Sequence, residues 1–478
     1  MLTLADILEI ENTPEILQFT CPGTDDLLWP SIRTLVLRMV IDQEVFGKPT
    51  QVTQEPGVSQ SRIQKAKCVL DGLLYHVRLF NRRADILFFN SGITNILRNG
   101  RYFNRVSDYF ALCYPESTLM IEEPHEWHHL RPRANPNVVY HIPFRMLVLL
   151  GAKSSPRRNI NVATLNLLNY VRERVKDVTG FQLSQSQLAF LQRMVGQYCA
   201  SLNAQRMIYS ALYKALRPKL IFFEDGSYGA KGPLIRTAKE MGILTAEMQH
   251  GMISSGHDAY NYAPLIRESA GYRRYLPDFF LSYGQWWSNQ INLPAEVVPV
   301  GNPHYEVSRR HAVENVSPSR TMILLLSSGL DFEAYLAMAR TLRNIVPAEY
   351  PVVIRPHPLE RSAALSRYGQ NPDGILLDTT DNLYARLAES YAVVGENSTA
   401  LFEAVGLVER IFCMTSPLSS FGLPDSPFEK FERVEELAAK MFAPGCGVIS
   451  PELATSIWTG DWEANYRSFI TQRVGLQA

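Results

Sequence analysis

The sequence predicts an α/β protein made of two doubly wound domains that face each other across a cleft. The first observation is length, because 478 residues exceed what one hydrophobic core ordinarily holds. The second is that short β-branched or aromatic runs alternate with helical patterns from about residue 84. The third is that the alternation stops at a polar Ser-Pro-Ser stretch, residues 313–320, and then starts again.

In the first domain the apolar runs predict a parallel sheet covered by helices. The predicted strands are residues 86–92, 118–123, 137–142, 220–225, 243–249, 279–284 and 297–302. Between the third and fourth strands, residues 184–216 carry apolar side chains at three- and four-residue spacing. We expect a helix there that is too long for a simple crossover and that bulges from the domain or frames the cleft.

The second domain has the pattern of a compact nucleotide-binding fold. Its apolar runs are continuous rather than alternating, as in strands buried on both faces. Helices are predicted at residues 331–345, 383–390 and 399–408. The whole chain is thus divided into a helical extension packed on the first domain (1–80), the first domain (81–305), the second domain (320–455) and a helix that returns to the first domain (456–478).

Composition and charge exclude several classes of protein. Lys and Arg number 47 and Asp and Glu also number 47, so no net charge points to nucleic acid. The amino-terminal residues mix acidic with apolar side chains, unlike a secretory signal, and no uncharged run is long enough to span a membrane. A cytoplasmic protein is expected, with peripheral membrane association left open. The cysteines lie far apart without metal-ligand spacing, so no metal site is predicted.

Polar residues follow two strands of the first domain where the strands end. Glu224, Asp225 and Gly226 follow one run, and Gln249 and His250 follow the next. Asp225 is the candidate general base, with Glu224 and His250 as catalytic neighbours and Gln249 and Gly226 as acceptor-binding residues. A helix cap for the carboxylates and a structural role for the histidine are the competing interpretations.

The second domain offers a matching set of residues for binding an anion. Arg355, His357 and Pro358 end one predicted strand, and the prolines fix the loop that presents the histidine. Ser398 and Thr399 stand between a strand and a helix, where hydroxyls and free N–H groups can hold a phosphate. A plain helix cap is the alternative, and the two roles are compatible.

Three further residues belong to the predicted donor site. Ser327 and Ser328 end the first strand of the second domain, and Glu403, one turn into the helix, is placed to reach a ribose. No Walker A sequence, dinucleotide-binding glycine motif or H-E-x-x-H is present, so the chemistry of P-loop nucleotidases, dinucleotide oxidoreductases and zincins is not expected.

Taken in order, these motifs resemble those of a known family across residues 215–415. Bacterial sialyltransferases and related capsule glycosyltransferases of the GT-B fold carry a similar series of EDG (224–226), SS (327–328), HP (357–358) and ST (398–399). The resemblance implies that Asp225 deprotonates the acceptor hydroxyl, and that His357 and the hydroxyls of Ser398 and Thr399 bind the phosphate of a CMP leaving group.

The implied activity is inverting, metal-independent sugar transfer in bacterial surface-polysaccharide synthesis. The donor is expected to be a CMP-activated sialic acid or Kdo-type sugar, used as co-substrate with no cofactor, and the acceptor a glycan or glycolipid. The segments EMQHG and VGNPHYE are more similar to Kdo-type and CDP-polyol transferases. A CDP-polyol phosphotransferase, a UDP- or GDP-sugar transferase, a nucleotide-sugar 2-epimerase and a non-catalytic nucleotide-sugar-binding subunit therefore remain alternatives.

Overall fold

The computed structural model describes residues 2–47, 61–79, 82–155, 157–314, 320–329, 332–358, 360–369 and 375–476. The strands are β1 (Ile86–Ser91), β2 (Asn95–Arg98), β3 (Arg101–Asn104), β4 (Thr118–Glu123), β5 (Val138–Tyr140), β6 (Leu220–Phe223), β7 (Leu244–Met248), β8 (Phe279–Ser282), β9 (Glu296–Pro299), β10 (Met322–Leu326), β11 (Val352–Arg355), β12 (Leu376–Leu377), β13 (Ser390–Gly395), β14 (Arg410–Met414) and β15 (Glu429–Phe431). The helices are α1 (Leu4–Leu8), α2 (Arg33–Val40), α3 (Arg62–Tyr75), α4 (Asp108–Ala111), α5 (Ile142–Ala152), α6 (Arg157–Thr179), α7 (Gln185–Leu216), α8 (Gly232–Glu240), α9 (Pro264–Glu268), α10 (Ala270–Arg273), α11 (Gln285–Ser288), α12 (Pro303–Glu314), α13 (Phe332–Ile345), α14 (Arg361–Tyr368), α15 (Leu383–Ala388), α16 (Thr399–Glu403), α17 (Pro417–Gly422), α18 (Val434–Phe442), α19 (Pro451–Ile457) and α20 (Trp462–Val474).

The first domain is a parallel sheet of seven strands in the order β5-β4-β1-β6-β7-β8-β9. All seven predicted strands belong to it. The strand order reverses between β1 and β6, which pair in parallel with Phe89 opposite Phe223. Ligands of open α/β sheets bind at the carboxyl ends of the strands beside such a reversal.

Helices cover both faces of this sheet. On one face Phe89 packs with Leu216 of the long helix α7. On the other face Phe88 packs with Tyr466 and Phe469 of α20, so the last helix of the chain lies against the first sheet. The long helix therefore lies on the sheet and also packs along α5 and α6, instead of standing out from the domain.

The second domain is a parallel sheet of six strands in the order β12-β11-β10-β13-β14-β15. Its strand order reverses between β10 and β13, and every residue of β10 is buried. The edge strand β15 was not predicted. Two doubly wound sheets of the GT-B-like class are thus present, and the predicted fold class is confirmed.

The amino-terminal residues 2–47 pack on the first domain. The backbone N–H of Leu27 donates to the hydroxyl of Tyr275 (2.8 Å), and Asp26 pairs with Arg236 (2.6 Å). Residues 315–319 of the predicted linker, and residues 48–60 of the amino-terminal extension, lie outside the described residues. In the described part of the chain no helix combines the length and apolar character needed to cross a bilayer.

The segment at residues 457–458 is hydrogen-bonded to both domains. The indole N–H of Trp287 donates to the carbonyl of Ile457 (2.9 Å), and the indole N–H of Trp458 donates to the carbonyl of Phe402 (2.9 Å). Gly284 allows this approach, because a Cβ there would lie 2.4 Å from the carbonyl oxygen of Ser456. The chain therefore crosses back to the first domain along a closely packed segment.

Candidate active site

A cleft of about 1450 Å³ lies between the carboxyl ends of the two sheets. It is lined by residues of both domains, most of them polar. The first domain contributes Arg105, His250, Tyr283 and His304, and the second contributes Ser328, His357, Pro358, Ser398, Thr399 and Glu403. Most of the residues predicted from strand ends therefore meet in one space, beside the reversals of strand order in both sheets.

Asp225 stands in the turn that follows β6. Its backbone is left-handed (φ 58°), a conformation that aspartate tolerates better than most residues, and Gly226 continues the turn. The carboxylate is 43% exposed, and its Oδ1 lies 3.1 Å from Nε2 of His250. The structure thus brings together the two residues that neighbouring strand ends were expected to place side by side.

The surroundings of His250 favour its neutral form over the imidazolium. Burial lowers its pKa below the ordinary value, and the negative charge of Asp225 opposes that effect. The positive charges of Lys231 and Arg105 lower the pKa further. Nδ1 of His250 is buried and Nε2 contacts Asp225, so the more accessible proton acceptor of the pair is the carboxylate.

Glu224, expected to be catalytic, is turned into the protein. Its side chain is buried, and Oε2 accepts a hydrogen bond from the backbone N–H of Ser91 at the end of β1 (2.7 Å). Burial raises the pKa of Glu224 to about 7. Its position ties the ends of β1 and β6 together, because successive residues at a strand end point in opposite directions and Asp225 takes the outward one.

Gln249 and Gly226, expected to contact the acceptor, are also turned away from the cleft. The buried amide of Gln249 accepts from the backbone N–H of Tyr283 (2.8 Å) and donates to the carbonyl of Gly251 (2.8 Å). A Cβ on Gly226 would lie 3.3 Å from Oε2 of Glu247. Gln249 thus holds the loop that carries His250, and both polar atoms of its amide are engaged within the protein.

Glu247 of β7 is a buried carboxyl beneath the Asp225 turn that the sequence analysis missed. It accepts hydrogen bonds from the backbone N–H and hydroxyl of Ser227 and from the hydroxyl of Tyr260 (2.9 Å). Burial raises the pKa of Glu247 to about 8, and the negative charge of Asp225 acts in the same direction. In its protonated form Glu247 adds no second negative charge beside that of Asp225.

We expect Glu247→Gln to change how stability depends on pH. Because the folded-state pKa is about 8 and the ordinary value is 4.5, the unfolded chain releases a proton in this interval that the folded chain retains. The wild type therefore loses stability relative to the variant as pH rises from about 5 to about 8, and the difference levels off above the folded-state pKa. Thermal melts across this range measure it, with the exposed Glu268→Gln as matched control. Parallel curves for wild type and Glu247→Gln would contradict the assignment.

His357 and Pro358 face the cleft from the second domain. Gly329, with φ 81°, packs against the histidine, and a Cβ there would lie 2.8 Å from its Nδ1. The backbone N–H of His357 donates to Oε1 of Glu360 (3.1 Å). The loop after β11 is thereby fixed with the imidazole at the cleft wall, across from His250 of the first domain. Asp225 contacts His250 and is not itself a lining residue.

Ser398 and Thr399 begin α16 at the same wall. The hydroxyl of Ser398 accepts from the backbone N–H of Ala400 (3.2 Å), so the predicted cap is present. The helix ends at Glu403, well before the predicted residue 408. Glu403 accepts from the hydroxyl of Tyr384 (2.9 Å), and burial raises its pKa while the charge of Arg105 opposes the rise.

Two predicted donor-binding residues, Ser327 and Arg355, form polar contacts with other residues of the second domain. The hydroxyl of Ser327 is buried and donates to Glu360, whereas its neighbour Ser328 lines the cleft. Arg355 pairs with the buried carboxylate of Asp378. Their polar groups are engaged within the second domain, and their contact with the donor stays a prediction.

Arg105 is a cleft residue that the sequence analysis did not single out. It follows the hairpin of β2 and β3, whose turn is Asn99-Gly100, and it makes no salt bridge within 4 Å in the described ranges. Burial lowers the pKa of His304 to about 4, and the charge of Arg105 adds to this effect. The guanidinium thus places a positive charge in the lining of the cleft.

The described residues hold no group of three or more His, Cys, Asp or Glu side chains arranged for a metal ion.

Comparison with known proteins finds no matching family model and no matching curated protein. Solved structures are similar at low identity. UDP-GlcNAc 2-epimerase from Methanocaldococcus jannaschii has 8% identity and a TM-score of 0.44, over 81% of this chain and 99% of its own. S. aureus MnaA with UDP has 11% identity and a TM-score of 0.41, over 82% and 96%. The wall teichoic acid polymerase TagF has 11% identity and a TM-score of 0.38, over 86% and 93%. With TM-scores below 0.5, the fold assignment rests on the strand order described above.

Proposed function

We propose that the protein transfers a sugar from a nucleotide-activated donor to a hydroxyl of a glycan or glycolipid, with inversion and without a metal. The observation that carries this proposal is the pairing of two unlike walls in one cleft. One wall presents His250, whose Nε2 lies 3.1 Å from the partly exposed carboxylate of Asp225, and the other presents His357 with the hydroxyls of Ser398 and Thr399. A proton acceptor opposite a phosphate-binding wall is what such a transfer requires.

In the proposed reaction the acceptor hydroxyl gives its proton to Asp225 as its oxygen attacks the anomeric carbon. The bond between that carbon and the phosphate oxygen breaks, and the electron pair leaves with the nucleotide. His357, Ser398 and Thr399 donate hydrogen bonds to the departing phosphate, and Arg105 neutralises part of its charge. His250 keeps the carboxylate in place through the 3.1 Å contact.

For the donor we propose a CMP-activated sialic acid or Kdo-type sugar, on the strength of the motif resemblance. A CDP-polyol phosphotransferase, in which His250 and His357 would share the phosphate chemistry, and a UDP- or GDP-sugar transferase use the same two walls. The proposed place of action is the cytoplasm, at the inner face of the membrane where surface polysaccharides are assembled.

The experiment that tests this function is a thermal-shift screen of the purified protein with CMP, CDP, UDP, GDP and ADP, with and without magnesium. A ligand at 100 times its dissociation constant stabilises the folded state by about 2.7 kcal/mol, which gives a measurable shift. A preference for CMP without magnesium supports the proposed donor and selects the sugars for transfer assays. A preference for UDP or GDP would mean that the donor is a UDP- or GDP-activated sugar. The absence of any shift would contradict the proposed nucleotide site.

Arg105→Gln is expected to weaken nucleotide binding about ten- to hundred-fold, because a charge-assisted hydrogen bond to phosphate contributes about 1.5–3 kcal/mol. The affinity for the corresponding nucleoside, which has no phosphate, should stay the same. Isothermal titration calorimetry with both ligands measures the difference. Arg101→Gln, at an exposed position on β3 that does not line the cleft, is the matched control. An equal loss for nucleotide and nucleoside would show that Arg105 supports the fold of the cleft instead of binding phosphate.

A further inference from the structure

Helix α3 turns an apolar stripe towards solvent. Ile63, Leu70, Leu74 and Val77 are 63–81% exposed, and their spacing places them on one side of the helix and of the 3₁₀ turn that extends it. The opposite side holds the buried residues of the helix. An amphipathic helix of a globular protein normally packs its apolar side inwards, so this orientation calls for a partner.

The orientation of α3 is fixed by close packing on α5. Gly72 is buried on the inner side of the helix, and a Cβ there would lie 3.1 Å from the ring of Pro143. Beside it α5 exposes three more leucines, Leu147, Leu149 and Leu150, each more than half accessible. The two helices pack on each other, and we call the stripe of α3 together with these leucines of α5 the α3–α5 face.

The helices of the α3–α5 face and the turns at their ends carry more basic than acidic residues. The basic residues are Arg62, Lys65, Lys67, Arg78, Arg145 and Lys153. Asp71 is the acidic residue of the two helices, and it pairs with Arg131 of the neighbouring loop (2.5 Å). The whole chain carries 47 basic and 47 acidic residues, so this excess of cations is local.

We propose that the α3–α5 face docks onto an anionic lipid bilayer, with the leucines buried at the level of the headgroups and the basic residues on lipid phosphates. Exposed apolar side chains rimmed by Lys and Arg are the features of an interfacial helix. A second copy of the chain fits less well, because six cations on each copy would face one another across the interface.

The α3–α5 face lies close to the loops on the cleft side of the first sheet. Its inner side packs on the loop that follows β4, where His129 donates to the carbonyl of Cys68 (2.9 Å) and stacks on Tyr140. That loop leaves the same edge of the first sheet as the Asp225 turn, two strands away or about 10 Å. The docked protein would therefore hold its acceptor side beside the membrane. This last statement rests on the proposed function, whereas the docking itself does not.

The test is co-sedimentation of the full chain, without nucleotide or acceptor, with vesicles of phosphatidylcholine alone and of equal parts phosphatidylcholine and phosphatidylglycerol. Binding is expected only to the anionic vesicles, and added salt should weaken it. Leu70→Gln/Leu74→Gln should reduce the apparent affinity about ten-fold or more. Arg62→Gln/Lys67→Gln should reduce it about five-fold per residue. Because these side chains face solvent, the melting temperature should not change.

Ile345→Gln, at an exposed apolar position of the second domain, is the matched control and should bind like the wild type. The proposal is overturned if the leucine variant binds anionic vesicles as the wild type does, or if neither protein binds them. It is also overturned if gel filtration shows a dimer that the leucine variant dissociates, since the face would then join two copies. Transfer to a soluble acceptor should be the same in the leucine variant, so failure of docking and failure of the proposed activity are distinguishable.

Discussion

Asp225→Asn is expected to lower kcat/KM for sugar transfer by about a hundred- to ten-thousand-fold, the usual contribution of a positioned general base. The amide has the volume of the carboxylate and can still accept a hydrogen bond from Nε2 of His250, 3.1 Å away in the wild type, so the turn after β6 should keep its shape. What the variant lacks is a group that can take the proton of the acceptor hydroxyl. Initial rates with the donor selected by the nucleotide screen measure the effect.

Nucleotide affinity should change by no more than about two-fold in Asp225→Asn, because the proposed phosphate contacts lie on the opposite wall. The matched control is Asp85→Asn, whose carboxylate pairs with Lys219 (3.2 Å) beside the amino ends of the strands. Turnover close to that of the wild type would exclude Asp225 as the base. His250→Gln separates the roles within the pair: a loss as large as that of Asp225→Asn, with no further loss in the double variant, would mean that the two residues act as a unit.

The strand ends explain how far the candidate site could be predicted. The positions of the strand ends could be predicted, because continuous apolar runs indicate parallel strands buried on both faces and polar residues indicate where these strands end. The direction in which each side chain points could not be predicted, because successive side chains point to opposite faces and an error of one residue reverses the assignment. In Glu224-Asp225 and in Ser327-Ser328 the first residue is buried within its domain and the second is more exposed, although each pair had been assigned to the site as a whole.

Other differences have local causes. Asn99-Gly100 is a typical hairpin turn between short strands, and this signal was present in the sequence but was not used. Arg105 had no such signal, since its importance comes from the distant residues that surround it in the cleft. The helix at Thr399 was predicted to continue to residue 408 because its apolar spacing persists. The chain leaves the helix after Glu403 and turns at Gly406, whose φ is 79°.

The amino-terminal residues were not readable as a functional part of the fold, although they hold a loop of the first domain next to the site. Arg33 and Glu11 form a buried pair, with Nε to Oε2 at 2.6 Å and both side chains at most 2% exposed. Arg33 also donates to the carbonyls of Asp258 (2.7 Å) and Asn261 (2.6 Å). These two residues belong to the loop that starts at His250, so the pair joins the amino-terminal segment to that loop.

Glu11→Ala is expected to lower the free energy of unfolding by about 3–5 kcal/mol, because it leaves a buried guanidinium without its counter-charge. Burial alone would lower the pKa of Arg33, and the charge and hydrogen bond of Glu11 together with the neighbouring tyrosines raise it in the wild type. In the variant the guanidinium still keeps its proton, as arginine does throughout proteins, so the cost of the unpaired charge remains. The indole N–H of Trp29, which donates to Glu11 (2.8 Å), would also lose its acceptor. Urea titration of the first unfolding transition measures the loss.

The matched control is Glu463→Ala, which removes an exposed carboxylate paired with Arg467 one helical turn away (2.7 Å) and should cost about 0.3–0.5 kcal/mol. Glu11→Leu/Arg33→Met tests the origin of the effect. If the stranded charge dominates, the double variant should be more stable than Glu11→Ala, although the carbonyls of Asp258 and Asn261 lose their donors and full recovery is not expected. A double variant less stable than Glu11→Ala would mean that those two hydrogen bonds, and not the ion pair, hold the loop beside His250.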